Sequence, residues 1–198
     1  MIEYFDRCKE LFGFIKTNDY PKARNGVIHL LHDLKENNIP YDELVNHLIR
    51  EVGLYQYIDE TSSNWSDRFA KESFKVNTGN EFQTIHFEQS SILKHLLNGD
   101  NIALSAPTSF GKSFIIDAFI ANKKPNNVVI IVPTISLTDE TRKRINKKFG
   151  NEYKIITTPN IKLSDKNIFI FPQERAINYS NIIEEIDLLI IDEFYKIS

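Results

Sequence analysis

Two short runs without a polar residue, VVIIV at 128–132 and LLII at 188–191, constrain this chain most. A strand with one wet face alternates polar and apolar side chains. A run that is apolar at every position belongs to a strand covered on both faces, as in parallel sheets flanked by helices. From about residue 79 such runs alternate with longer amphipathic stretches, which predicts an α/β fold. The expected strands are 101–106, 128–132, 153–156, 167–171 and 187–191, with helices near 87–97, 112–122, 137–149 and 172–179.

The first 78 residues follow a different rule. Ile2, Phe5, Leu11, Phe12 and Ile15 recur at helical steps, as do Val27, Leu30, Leu31 and Leu34 after Asp19, an expected N-cap with Pro21 close behind. A third helix is expected from Pro40 through Leu44, Leu48, Ile49 and Val52, and SNWSDRFAKESF forms a fourth. The helical spacing gives way at NTGNE (77–81), which divides the chain into a small all-α domain at 1–78 and an α/β domain at 79–198. The first domain holds no catalytic cluster, so its expected role is accessory packing or a surface for a protein partner.

Charge narrows the choice of partners. Among 198 residues, 24 Lys plus Arg face 27 Asp plus Glu, a net charge of -3. The whole chain therefore exerts no pull on nucleic acid, and any such contact needs a local basic patch. Cys8 is the single cysteine, which excludes an internal disulfide and a cysteine-based metal site. His29, His32 and Glu36 share helical spacing without a fuller ligand set, as on an ordinary amphipathic helix. No window reaches the roughly 18 apolar residues of a membrane span, and MIEYFDRCKE lacks a signal-peptide layout. A cytoplasmic protein without membrane contact is expected.

The stretch NIALSAPTSFGKSFIIDAFI carries the chemistry. An expected strand ends at Ala106, a helix starts near Lys112, and Pro107, Thr108, Ser109, Phe110 and Gly111 lie between. Backbone N–H groups of such a loop, backed by the helix dipole, wrap a polyphosphate; Lys112 adds a point charge and Ser113 a hydroxyl for magnesium. Ala106 stands where a strict phosphate-loop motif has its first glycine. At the carboxyl end of the last apolar run, Asp192 suits magnesium and Glu193 suits a general base acting on water. Alone, an acidic pair after a strand more often caps a helix; downstream of a phosphate loop it becomes the loop's expected partner. A P-loop enzyme of another class, such as a kinase, and a non-catalytic scaffold module also accommodate these residues.

Taken together, SAPTSFGKS, VVIIVPTISL and LLIIDEFY resemble motifs I, Ia and II of superfamily 2 helicases of the DEAD/DExH-box type, with PTS-x-GK[ST] nearest to Ski2-like members. The resemblance runs from about Phe82 to Lys196, and among such proteins the parent resembles a bacterial antiphage helicase of the Hachiman type. It implies an incomplete RecA-like domain, ATP with Mg2+, and a DNA or RNA partner. HFEQSSILKHLLNGDNIALSAPT resembles the family's Q-motif approach, which implies that Gln89 reads the adenine edge and Phe87 packs on the base. FIFPQERA stands in place of a strand-end motif that contacts nucleic-acid backbone, and RKRINKKFG (Arg142, Lys143, Arg144, Lys147, Lys148) follows motif Ia on the strand-facing edge. A solvated helix face explains that basic run equally well.

The chain departs from the family pattern in several places. Ser109 and Phe110 replace a glycine and a small residue, which puts a bulky side chain near the phosphates. Phe171 replaces a threonine that would bond a phosphate, leaving Gln173 and Arg175, and the motif II tetrad reads DEFY with Tyr195 last. The motif III strand, a second RecA-like domain and an arginine finger would follow Ser198. Residues 1–198 alone are therefore expected to bind ATP weakly and not to unwind.

Overall fold

The computed structural model describes residues 2–158, 162–176, 183 and 185–193. They divide into two compact units, one of residues 1–76 with 82–111 and one of 77–81 with 112–198.

The first unit is built on α1 (Ile2–Lys16), α2 (Tyr20–Glu36), α3 (Glu43–Glu51), α4 (Trp65–Ser73) and α5 (Phe87–Leu97). Asp19 caps α2 by accepting the Lys22 N–H, with proline in the first turn. The third helix starts later than Pro40, because the Asp42 carboxylate accepts the Val45 N–H at 2.9 Å and sets the N-terminus there. The periodic residues form one core: Leu11, Ile15, Val27, Leu30, Leu34, Leu48 and Ile49 are all buried. Phe5 departs from the expected face and is exposed. Asn46, fully buried, ties the region together: its amide donates to Asp42 O and Ser62 Oγ and accepts the Asp59 N–H. Strands β1 (Lys75–Asn77) and β2 (Phe82–Thr84) form a two-stranded sheet around the turn at which helical spacing breaks.

The second unit holds α6 (Lys112–Lys123), β3 (Asn127–Val132), α7 (Ile135–Phe149), β4 (Lys154–Ile156), β5 (Asn167–Pro172), α8 (Gln173–Ala176) and β6 (Leu188–Ile191). The four strands form a parallel sheet in the order β4-β5-β3-β6, with Val128 opposite Ile168 on one side and Leu188 on the other. β5 is buried along its whole length and β3 nearly so, as the apolar run required. Helices α6 and α7 contribute Ile120, Ile145 and Phe149 to the core against Val128, Ile130, Ile168 and Ile170.

Two further expectations are corrected. LLII is not covered on both faces: Leu188 and Ile190 pack on the core, whereas Leu189 and Ile191, on the opposite face of β6, are 51% and 43% exposed. Residues 101–106 form no strand. That segment offers only Ile102 and Leu104 as large apolar side chains, a weaker apolar run than VVIIV or LLII. Residues 177–179 of the expected 172–179 helix lie outside the described residues, as does Tyr195.

Candidate functional site

In the first unit the loop approaching the candidate phosphate site is organised by α5. His86 and Gln89 form a capping box: the His86 N–H donates to Gln89 Oε1 at 3.1 Å, and Gln89 N lies 3.3 Å from His86 Nδ1. Gln89 is buried, and its Nε2 donates to the carbonyl of Phe110 at 2.8 Å. Because a trans peptide sets C=O and N–H on opposite sides, fixing the Phe110 carbonyl toward Gln89 turns the Gly111 N–H away from it. Both ends of the Gln89 amide are thus engaged within the protein. Phe87 is 56% exposed at the head of the same helix, with its N–H donating to Gly53 O at 3.0 Å. Gly53 is required there: it has φ 71°, and a Cβ would lie 2.7 Å from Phe87 Cβ.

The loop itself is a short 3-10 turn, Thr108–Phe110, with Thr108 and Ser109 exposed. The bulk of Phe110 is accommodated by packing: its half-buried ring meets the His86 ring edge-on at 5.0 Å. Sequence reasoning missed His86, although HFEQ with Gln three residues on is a capping signature. Gly111 has φ 81° in the left-handed region, and α6 begins at the next residue. A non-glycine residue would be strained at that position, so the GK pair does its conformational work locally.

In the second unit Lys112 and Ser113 open α6, with Lys112 half-buried and Ser113 exposed. At the carboxyl end of β6, Asp192 continues the ladder by donating its N–H to Ile131 O at 2.9 Å, and its side chain is exposed. Glu193 takes φ 50°, an uncommon conformation for a side-chain-bearing residue. The sheet thus delivers both carboxylates at its carboxyl edge, where open parallel sheets bind ligands. Hydroxyl and carboxylate oxygens are the hard donors that magnesium prefers.

The basic run separates into two groups. Arg144 and Lys148 both bond the buried Asp117 of α6, Lys148 at 2.9 Å, and the Lys148 ammonium also lies 5.4 Å from the Phe114 ring centre. Arg142 pairs with Asp139 at 3.1 Å. Lys143 and Lys147 are exposed and, four residues apart, share a face of α7. Arg144 and Lys148 are therefore structural cations, which leaves Lys143 and Lys147 as the strand-contact candidates. Phe171 is buried beside Phe169, 6.0 Å between ring centres, which serves packing. Gln173 is half-buried and Arg175 exposed in α8. Among the described residues no group of three His, Cys, Asp or Glu side chains could hold a metal by itself, and no helix is long and apolar enough to cross a membrane.

Comparison with known proteins yields two family matches and a curated relative. Residues 87–198 match the DEAD/DEAH box helicase family, and residues 1–68 match the anti-bacteriophage protein B N-terminal domain. Anti-bacteriophage protein B of Escherichia coli (strain K12) is 34% identical over 184 residues, covering 90% of this chain and 25% of the relative. The chain thus spans about a quarter of the length of the curated relative it matches. The parallel sheet preceded by helices is that of an incomplete RecA-like domain.

Proposed function

The chain belongs to the DEAD/DEAH box helicase family, and we propose that it is the ATP-binding, N-terminal part of a nucleic-acid-dependent ATPase that couples hydrolysis to movement on or unwinding of DNA or RNA. The observation that carries this is local. A 3-10 turn closes on a left-handed glycine, and a twelve-residue helix starts at the very next residue with lysine and serine in its first turn. Donors in the turn and the helix dipole both favour the phosphates of a nucleotide.

Each residue then has a role. Backbone N–H groups of Thr108, Ser109, Phe110 and Gly111 surround the phosphates, and the Lys112 ammonium adds charge to the β/γ-phosphates. Magnesium, when bound, neutralises charge on the phosphates; Ser113 and Asp192 would hold it. Glu193 orients the attacking water and accepts its proton. Gln89 and Phe87 recognise the base. Lys143 and Lys147 meet the nucleic-acid backbone, and the N-terminal helices offer a surface to a protein partner. The name of the Escherichia coli relative supports a role in antiviral defence; a cytoplasmic location belongs to the same proposal.

The test is a pair of variants in the full-length protein. Lys112→Ala should abolish magnesium-ATP binding or turnover, and Glu193→Gln should retain binding while turnover stops. Wild-type turnover in both would refute the assignment.

A further inference from the structure

Within the first unit, a series of direct contacts joins the N-terminal helices to the loop. Arg24 of α2 is paired with Glu88 of α5. Glu88 Oε2 lies 2.9 Å from His86 Nδ1, and the His86 ring is set edge-on to Phe110. Gln89, on the other side of Glu88 in sequence, holds the Phe110 carbonyl. His86 and Gln89 thus grip one residue of the loop by its ring and by its backbone, and the bond from the His86 N–H to Gln89 Oε1 makes them a single bracket.

The orientation of that bracket depends on Glu88. The Glu88 carboxylate and the Gln89 N–H compete for the same ring nitrogen of His86, which cannot donate to one while accepting from the other. The carboxylate contact is the shorter. Burial alone would raise the Glu88 carboxyl, but the bonds from His86 and Arg24 outweigh it and hold the group at about 2, so it stays ionised. Arg24 is the more buried partner, its side chain 21% exposed against 45% for Glu88. The cation thus lies deeper than the carboxylate it meets.

We propose that Arg24 and Glu88 are positioning residues for nucleotide binding, through which the N-terminal helices fix the phosphate loop in the conformation that accepts a nucleoside triphosphate. This rests on the phosphate-loop assignment above. Without Arg24, Glu88 turns to solvent, His86 loses its orienting bond, and the Phe110 ring and carbonyl are no longer held together.

The experiment measures affinity of the full-length protein for a fluorescent ATP analogue with magnesium, alongside thermal melting without nucleotide. Arg24→Met and Glu88→Gln should each weaken binding by about fivefold or more, the lower end of usual coupling between sites. Arg24→Lys, which keeps the charge, should recover most of it. Combined with Phe110→Ala, Arg24→Met should weaken binding little further, because both act through the same bracket. If Arg24→Met lowers the melting temperature, Glu88→Gln, at a half-exposed position, decides the matter. Wild-type affinity in Glu88→Gln, or effects at Arg24 and Phe110 that multiply, would overturn the proposal. Lys112→Ala serves as the control: if it too binds normally, the phosphate-loop assignment fails, whereas if it alone loses binding, only the positioning role does.

Discussion

Asp117→Ala should destabilise the second unit by about 1.5–3 kcal/mol. The carboxylate is buried and takes bonds from two cations of α7, Arg144 and Lys148. Each charge-assisted bond is worth roughly 1.5–3 kcal/mol, so removing both would cost about 3–6 if the cations stayed dry. They do not: their side chains are 30% and 18% exposed, and their long stems let the charged ends reach water, which returns about half of that loss. Arg142→Ala is the internal comparison, since its Asp139 pair is exposed at 43% and 65% and should contribute about 0.5 kcal/mol or less. Urea denaturation gives the totals. Hydrogen exchange followed by mass spectrometry on peptides from α6, β3 and α7 shows where protection is lost. If Asp117→Ala matches Arg142→Ala, or protection falls first in α1–α3, the ion triad does not hold α6 to α7.

Two further outcomes follow from the same side chains. Replacing Lys143 and Lys147 together with Gln should lower the log–log salt slope of single-strand binding by roughly 0.7 for each phosphate that a lysine had neutralised, while leaving stability within about 0.5 kcal/mol; an unchanged slope places both in solvent only. Glu88 gives a pH dependence: its carboxyl sits at about 2 against an ordinary 4.5, because the bonds from His86 and Arg24 outweigh burial, so its contribution is complete above 4.5 and is lost as pH falls toward 2. Discounted for a side chain 45% exposed, the contribution is about 1 kcal/mol, and Glu88→Gln should be correspondingly less sensitive in urea melts at pH 5 and pH 3. Identical pH profiles would show that the pair is not formed in solution.

Local rules made much of this protein legible from its residues. Helical spacing placed Val27, Leu30 and Leu34 in a core, Asp19 with Pro21 marked a helix start, and VVIIV required a parallel sheet, because each of these depends on neighbours within a turn or a strand. The GK pair after a turn, and the acidic pair after LLII, were visible for the same reason. Long-range pairing decided the rest. Whether a lysine or arginine on α7 faces a nucleic-acid strand or a buried carboxylate depends on Asp117, 27 residues before Arg144, and no spacing rule connects the two. Which face of β6 is covered was equally out of reach, since LLII is apolar at every position and only packing in the fold separates Leu188 and Ile190 from Leu189 and Ile191. Phe110, a misfit by motif, became a packed residue once α5 brought His86 and Gln89 against it, a contact that only the tertiary fold could supply.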